Sequence, residues 1–259
     1  IPAILTIATA ATPLLFAALG ELVVEKSGVL NLGVEGMMLV GAIAAFAAVM
    51  NVDNLWLGFV AGAAAGAGLA LLFAFLTQSL LANQVATGLA LTIFGIGFSA
   101  LVGDGFVGEA WSGAPRGIPV LEDLPVVGRL LFGHDPFVYL SLLAVAGVAW
   151  FLYRTRAGMI LRAVGTNHDA AWSIGYNVVG IRYLAILFGG LMAGIAGAYL
   201  SLVYTPMWME GMSAGRGWIA LALVVFATWK PWRALLGAYL FGGITIIQLN
   251  IQGFGIDVA

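Results

Sequence analysis

Apolar residues in this chain come in runs of bilayer length, broken by short polar connectors. Crossing the hydrocarbon takes about 20 apolar residues in helical form. The pattern predicts spans at about 1–19, 31–50, 56–76, 84–102, 136–153, 182–204, 217–229 and 234–250. The seventh is short and is expected to be half-buried or broken. Connectors then fall near 20–30, 51–55, 77–83, 103–135, 154–181, 205–216 and 230–233, and from 251 onward. The expected fold is an all-α, polytopic membrane helix bundle of about eight spans, forming a single domain over 1–259.

Composition supports this class. Hydrophobic residues make up 62% of the chain and charged residues 8%, whereas a soluble domain is roughly a quarter charged. The 36 glycines suit helices that pack closely in lipid. A net charge of −2 gives no reason to expect nucleic acid. With no cysteine, disulfides, Cys-based zinc sites and thiol catalysis are excluded.

The basic residues set the orientation. With the 154–181 connector inside, Lys26, Arg154, Arg156, Arg162, Arg182, Lys230 and Arg233 are inside, and only Arg116, Arg129 and Arg216 are outside. This bias obeys the positive-inside rule. The chain has no initiator Met, stops soon after an apolar run, and is expected to lack sequence at both ends, including a span upstream. Connector 103–135 carries Pro115, Pro119, Pro125, Trp111 and five acidic residues. It is expected to be an extracytoplasmic loop, either solvated or meeting an external partner. Gly58-x-x-x-Gly62-x-x-x-Gly66 and Gly190-x-x-x-Gly194 read as small-residue helix contacts. A loose echo links the openings of the second and seventh spans, where glycine and polar residues precede apolar ones.

No catalytic constellation is present. His134 and His168 are far apart in sequence, and no metalloprotease or serine-hydrolase motif occurs. Gly20–Ser27 comes one residue short of a phosphate-binding loop, with Glu25 in place of its second glycine. No metal site, cofactor or ATP hydrolysis is expected of this chain. Polar groups near the membrane are the remaining candidates. Asn31 and Glu35 are four apart on one helical face among glycines. They fit either a solute pathway or a bond to a neighbouring helix. Asn83, Gln84 and Thr87 open the fourth span, as ligand groups or as caps and helix glue. Trp208, Glu210, Arg216 and Trp218 cluster at the outer end of the sixth and seventh spans. There Glu210 and Arg216 form an expected pair, and the tryptophans are either interfacial anchors or an outer gate that stacks a ring-shaped solute.

The connector at 154–181 has a helical pattern of its own. Gly158–Val164 is helix-compatible, Gly165 to Asn167 interrupts it, and Asp169–Ile174 forms a second short helix capped by Asn167 and ended by Gly175. Ala170 and Ala171 give that helix a small-residue face for a partner's groove. An idle hairpin fits the same pattern.

Four stretches resemble permease subunits of bacterial ATP-binding cassette importers, in the group that joins ribose-type sugar permeases with nucleoside permeases. They are GELVVEKSGVLNLGVEGMMLVGA, ANQVATGLALTIFG, TRAGMILRAVGTNHDAAWSIGYNV and AGRGWIALALVVFATWKPWRALLGAYLFGG. The likeness covers about 20–250 and is strongest at Gly158, Leu161, Arg162, Ala163, Val164, Gly165, Asn167, Ala170, Ala171 and Gly175. The V-E-G-M-M and A-G-R-G-W-I-A-L-A-L stretches favour the nucleoside branch. The resemblance implies that Arg162, Gly165, Asn167, Ala170, Ala171 and Gly175 belong to a coupling helix docking on a cytoplasmic ATP-binding subunit. It implies a second permease subunit, an extracytoplasmic solute-binding protein, a bacterial plasma membrane, and a further span at the end of the family's chains. Asn31, Glu35, Asn83, Gln84, Thr87, Trp208 and Glu210 would then line the pathway. The rival reading is a secondary transporter working without an ATPase.

Overall fold

The structure, a computed structural model, describes residues 2–113 and 133–253. Ten α-helices occur among them. They are α1 (Pro2–Lys26), α2 (Val34–Val52), α3 (Leu55–Ala74), α4 (Gln84–Gly103), α5 (Pro136–Arg154), α6 (Arg156–Thr166), α7 (His168–Ser173), α8 (Val178–Tyr199), α9 (Arg216–Phe226) and α10 (Pro231–Gly253). One π turn each extends α3 over Phe75–Ser79 and α8 over Leu200–Tyr204. Seven helices among the described residues are long and apolar enough to cross a membrane. The predicted seventh span is α9, and its 11 residues reach only about 16 Å. Arg116, Arg129, the three prolines and two acids of connector 103–135 lie outside the described residues.

Two boundaries differ from the sequence pattern. The first span continues through Glu21 and Glu25 to Lys26, where a connector was expected. The bundle supplies partners for both carboxylates: the Asn31 N–H donates to Glu21 Oε1 at 3.1 Å, and the Trp229 indole donates to Glu25. The sixth span starts at Val178, earlier than predicted, because Asn177 caps it by accepting from the Gly180 N–H at 2.9 Å.

Backbone contact through glycine builds the centre. A Cβ on Gly194 would lie 2.2 Å from the Gly62 carbonyl oxygen, and one on Gly66 would lie 2.3 Å from that of Gly190. The two small-residue motifs, expected to be helix contacts, therefore face each other across α3 and α8. α4 meets α2 in the same way at Gly95 and Gly36, and α1 meets α8 at Gly20 and Gly189. Large apolar side chains on α3, α4, α5 and α10 turn outward, Ile93, Leu101, Leu143 and Leu236 among them. That outer surface suits hydrocarbon and would not suit water.

The connectors sort to two ends as the charge pattern required. At one end the Arg182 Nε donates to the Ser27 carbonyl at 3.2 Å, Ser79 bonds Tyr183 at 2.5 Å, and Lys26 lies over the Trp229 ring. At the other end Trp111 donates through Nε1 to Asp53 at 3.1 Å and through its backbone to Pro206 at 3.0 Å. There Asp135 caps α5 and accepts from the Tyr199 hydroxyl at 2.7 Å.

Replacing Gly194 with Val is expected to drive α3 from α8 and cost about 1–3 kcal/mol, read as a lower melting temperature in detergent. Gly68 on α3 has nothing within 4 Å of a Cβ position. Gly68→Ala is therefore expected to leave the melting temperature unchanged or raise it slightly.

Candidate functional sites at two chain breaks and an elbow

Helices α1 and α2 are joined by a buried, irregular segment. Val29 and Asn31 in it are almost fully buried. Its backbone hydrogen bonds must be found within the protein, because lipid offers none. The Leu30 N–H donates to Gln84 Oε1 at 2.9 Å, the Asn31 N–H to Glu21, and the Gly33 N–H to Asn31 Oδ1 at 2.9 Å. The Leu32 carbonyl accepts from Thr92 Oγ1 at 2.9 Å. Gly88 of α4 lets that helix lie directly on this segment, since a Cβ there would sit 2.8 Å from the Leu32 nitrogen.

A second break precedes α9. Ala214 and Gly215 have φ of 48° and 80°, and the half-length helix starts inside the bundle. Its first N–H groups have no carbonyls of their own. Glu35, in the first turn of α2, serves them. Glu35 Oε2 accepts from the Gly217 N–H at 2.6 Å, and Oε1 accepts from the Gly215 N–H at 2.9 Å and the Ser213 hydroxyl at 2.5 Å. A carboxylate at a helix N-terminus is favoured by the helix dipole and by charge-assisted bonding. Only glycine fits at 217, where a Cβ would lie 2.6 Å from the Glu35 Cα. The two chain openings whose sequences echo each other are thus in contact.

The predicted pathway residues divide accordingly. Asn31, Glu35 and Gln84 come together around the two breaks. Glu35 is 5% exposed and Asn31 is fully buried, and their polar atoms are engaged by the protein. Asn83 is the N-cap of α4, accepting from the Ala86 N–H at 3.0 Å, and half-buried Thr87 lies in the first turn of that helix. Trp208 and Glu210 are elsewhere, near the outer end. Trp208 is 1% exposed and packs against Gly103, so it offers no free face to a solute. Glu210 is exposed and does not pair with Arg216. Arg216 instead donates to the Met212 and Ser213 carbonyls at 3.2 and 3.3 Å, and lies 5.2 Å from the Tyr204 ring centroid. Among the described residues the only ion pair within 4.0 Å is His168–Asp169. Sequence reasoning missed Ser213, Thr92 and Glu21. Only Glu21 carried a signal, an ionisable residue continuing an apolar helical run.

The elbow formed by α6 and α7 follows the predicted order, but α6 runs from Arg156 through Gly165 to Thr166, so Gly165 does not interrupt it and the break falls at Asn167 alone. Asn167 caps α7 by accepting from the Ala170 N–H at 3.0 Å, and Gly175 ends it with a φ of 91°. Its faces differ from the expectation. Ala171 is 3% exposed and packs on Val164 and Val178, so it props the elbow and is not available to a partner. Ala170 is exposed. Gly165 also faces inward, since a Cβ there would lie 2.1 Å from the Lys26 carbonyl oxygen. The outward residues are Trp172, 65% exposed, and Ile174, 72% exposed, with Tyr176 beside them. Trp172, Gly175, Tyr176 and Asn177 line a hollow of about 430 Å³. Arg162 lies on α6, 5.3 Å from the Tyr153 ring centroid.

Residues 3–255 match the family described as branched-chain amino acid transport system / permease component. Over 252 residues the chain is 49% identical to TsgC13 of Haloferax volcanii, whose name assigns it to glucose transport as an ABC transporter permease; the match covers 95% of this chain and 77% of that one. It is 32% identical over 245 residues to the guanosine ABC transporter permease NupQ of Bacillus subtilis, covering 90% of this chain and 77% of that one. It is 30% identical over 250 residues to the nucleoside ABC transporter permease NupC of Lactococcus lactis, covering 92% and 79%.

Glu35→Gln turns an acceptor of three donors into a group with an NH₂ facing an N–H. It is expected to cost about 1–3 kcal/mol and to lower the melting temperature of the purified protein. Ser213→Ala, which removes one donor and leaves the two N–H bonds, is expected to cost less than Glu35→Gln in the same measurement.

Proposed function

The chain belongs to the permease-component family of branched-chain amino acid transport systems, and on that premise we propose that it is half of the pore of an ATP-driven importer for simple sugars or nucleosides. Two permease subunits enclose the pathway, two ATP-binding subunits dock on the elbow side, and a solute-binding protein delivers cargo at the other end. The setting is the plasma membrane of a prokaryotic cell, supported by the bacterial relatives from Bacillus and Lactococcus. The sugar reading is supported by 49% identity to a protein named for glucose. The nucleoside reading is supported by the guanosine and nucleoside permeases at 32% and 30% identity.

The observation that carries the mechanism is the apolar face at the elbow. Trp172, Ile174 and Tyr176 are exposed beside a hollow at the inner end, and exposed clustered aromatics mark contact surfaces. Asn167 and Gly175 shape the short helix that carries them, and Gly165, Ala171 and Arg162 hold it against the bundle. Closure of the ATPase pair would push on α7, and the buried props would pass the push to α1 and α8. Those helices border the two breaks, where α2 and α9 meet through hydrogen bonds and can shift as a unit. Asn31, Glu35, Gln84, Asn83 and Thr87 act there as supports of the pathway's inner half. Hydrolysis itself belongs to the partner, since Glu25 stands in the near-match to a phosphate loop and is spent on Trp229.

Trp172→Asp is expected to leave membrane insertion intact and to cut co-purification of the ATP-binding subunit at least about tenfold. Unchanged co-purification would remove the elbow from the coupling role. With all subunits in vesicles, labelled glucose or guanosine should accumulate only with ATP inside. Accumulation by this chain without an ATP-binding subunit would establish secondary transport instead.

A further inference from the structure

Where α1 ends, a cavity of about 320 Å³ opens between α6 and the turn joining α9 to α10, lined by Glu25, Lys26, Arg162, Gly165, Thr166 and Trp229. Its cations are not neutralised. Among the described residues no carboxylate lies within 4.0 Å of Lys26, Arg162 or Lys230, and the charges of Arg162 and Lys230 both act on Lys26. The Arg162 Nε is buried with no acceptor. Among the described residues, Lys26 and Arg162 each face a ring, Trp229 at 5.9 Å and Tyr153 at 5.3 Å. Glu25 also lines the cavity, with Oε2 taking the Trp229 indole and Oε1 buried without a partner. The C-terminal ends of α1 and α6 each bring about half a negative unit. Lys26 and Arg162 line the cavity; counted with Lys230, which lies outside the lining but whose charge acts on Lys26, they leave about one positive unit against those two ends and Glu25, the charge that one phosphodiester offsets.

The surroundings place this charge at a membrane interface. Trp150, Tyr153 and Trp232 are exposed nearby, in the manner of an interfacial aromatic belt. From Trp232 an exposed apolar stripe, Leu236, Leu240 and Ile244, runs up one face of α10 at helical spacing. We propose that this cavity holds the phosphate headgroup of an anionic phospholipid from the leaflet on the elbow side, with an acyl chain along that stripe. A bound headgroup would join the end of α1, the elbow helix α6 and the α9–α10 turn. An acidic protein surface would fit the cations but not the apolar stripe that continues from them.

The test is native mass spectrometry of the full chain, purified with its partner subunits and offered phosphatidylglycerol or phosphatidylcholine. Phosphatidylglycerol should be retained preferentially. Lys26→Gln and Lys230→Gln should each weaken its retention about fivefold, and Thr166→Glu, at an exposed rim position, should weaken it at least as much. Arg156→Gln removes an exposed cation at the far end of α6 and should change retention less than about twofold. Equal retention of the two lipids overturns the proposal. So does an Arg156→Gln effect equal to that of Lys26→Gln, which would mean a diffuse surface potential. Displacement of the lipid by glycerol phosphate or inorganic phosphate as readily as by phosphatidylglycerol would make this a soluble-anion site and overturns it too. If Lys26→Gln does not fold, exposed Lys230 still decides the outcome.

Discussion

A backbone that leaves the helix inside a membrane must find every hydrogen bond within the protein, because hydrocarbon supplies none. Among the described residues, this chain leaves the helix twice in its interior, between α1 and α2 and before α9. The rest of the structure is arranged around meeting that requirement. Glu21, Gln84 and Asn31 take the free N–H groups of the first break, and Thr92 serves its carbonyl at Leu32. Glu35 takes those of the second. The breaks lie close enough for the first turn of one helix to cap the start of the other.

Close packing makes that arrangement possible. Glycines at 36, 88, 95 and 217 let α2, α4 and α9 approach at backbone distance, which brings a side chain on one helix to the broken end of another. Without such contact Glu35 would be a carboxylate in lipid, a placement that costs several kcal/mol. With it, the carboxylate is matched to three donors and the half-helix has a defined start. A bundle held this way resists gradual bending, but hydrogen-bonded joints at two breaks allow discrete rearrangement, which suits alternating access.

The elbow works by the opposite logic. It projects from the bundle, and its inward face is small and tightly held: Gly165 against α1, Ala171 against Val164 and Val178. Its outward face is large and apolar. In the proposed coupling, a push on Trp172 or Ile174 would meet this closely packed backing. Arg162 of the elbow and Lys26 at the end of α1 line one cavity.

Much of this was legible in the sequence. Apolar runs of bilayer length gave the helices, and Asn167 and Gly175 marked both ends of α7, because caps and left-handed glycines are local signals. The G-x-x-x-G motifs showed packing between helices. What the sequence could not decide was which way a side chain faces or what it meets. Ala171 read as a docking face and proved to be a prop. Trp208 read as an interfacial anchor or a gate and is buried in the core. Glu210 and Arg216 read as a pair and are not. Glu35 read as a pathway residue or a bond to a neighbouring helix, and it bonds the Ser213 hydroxyl and the Gly215 and Gly217 N–H groups, 178 to 182 residues away. Periodicity and capping depend on neighbours within a turn or two, so sequence determined them. The partners of a buried polar group depend on which helices come together, and only the tertiary structure decided that.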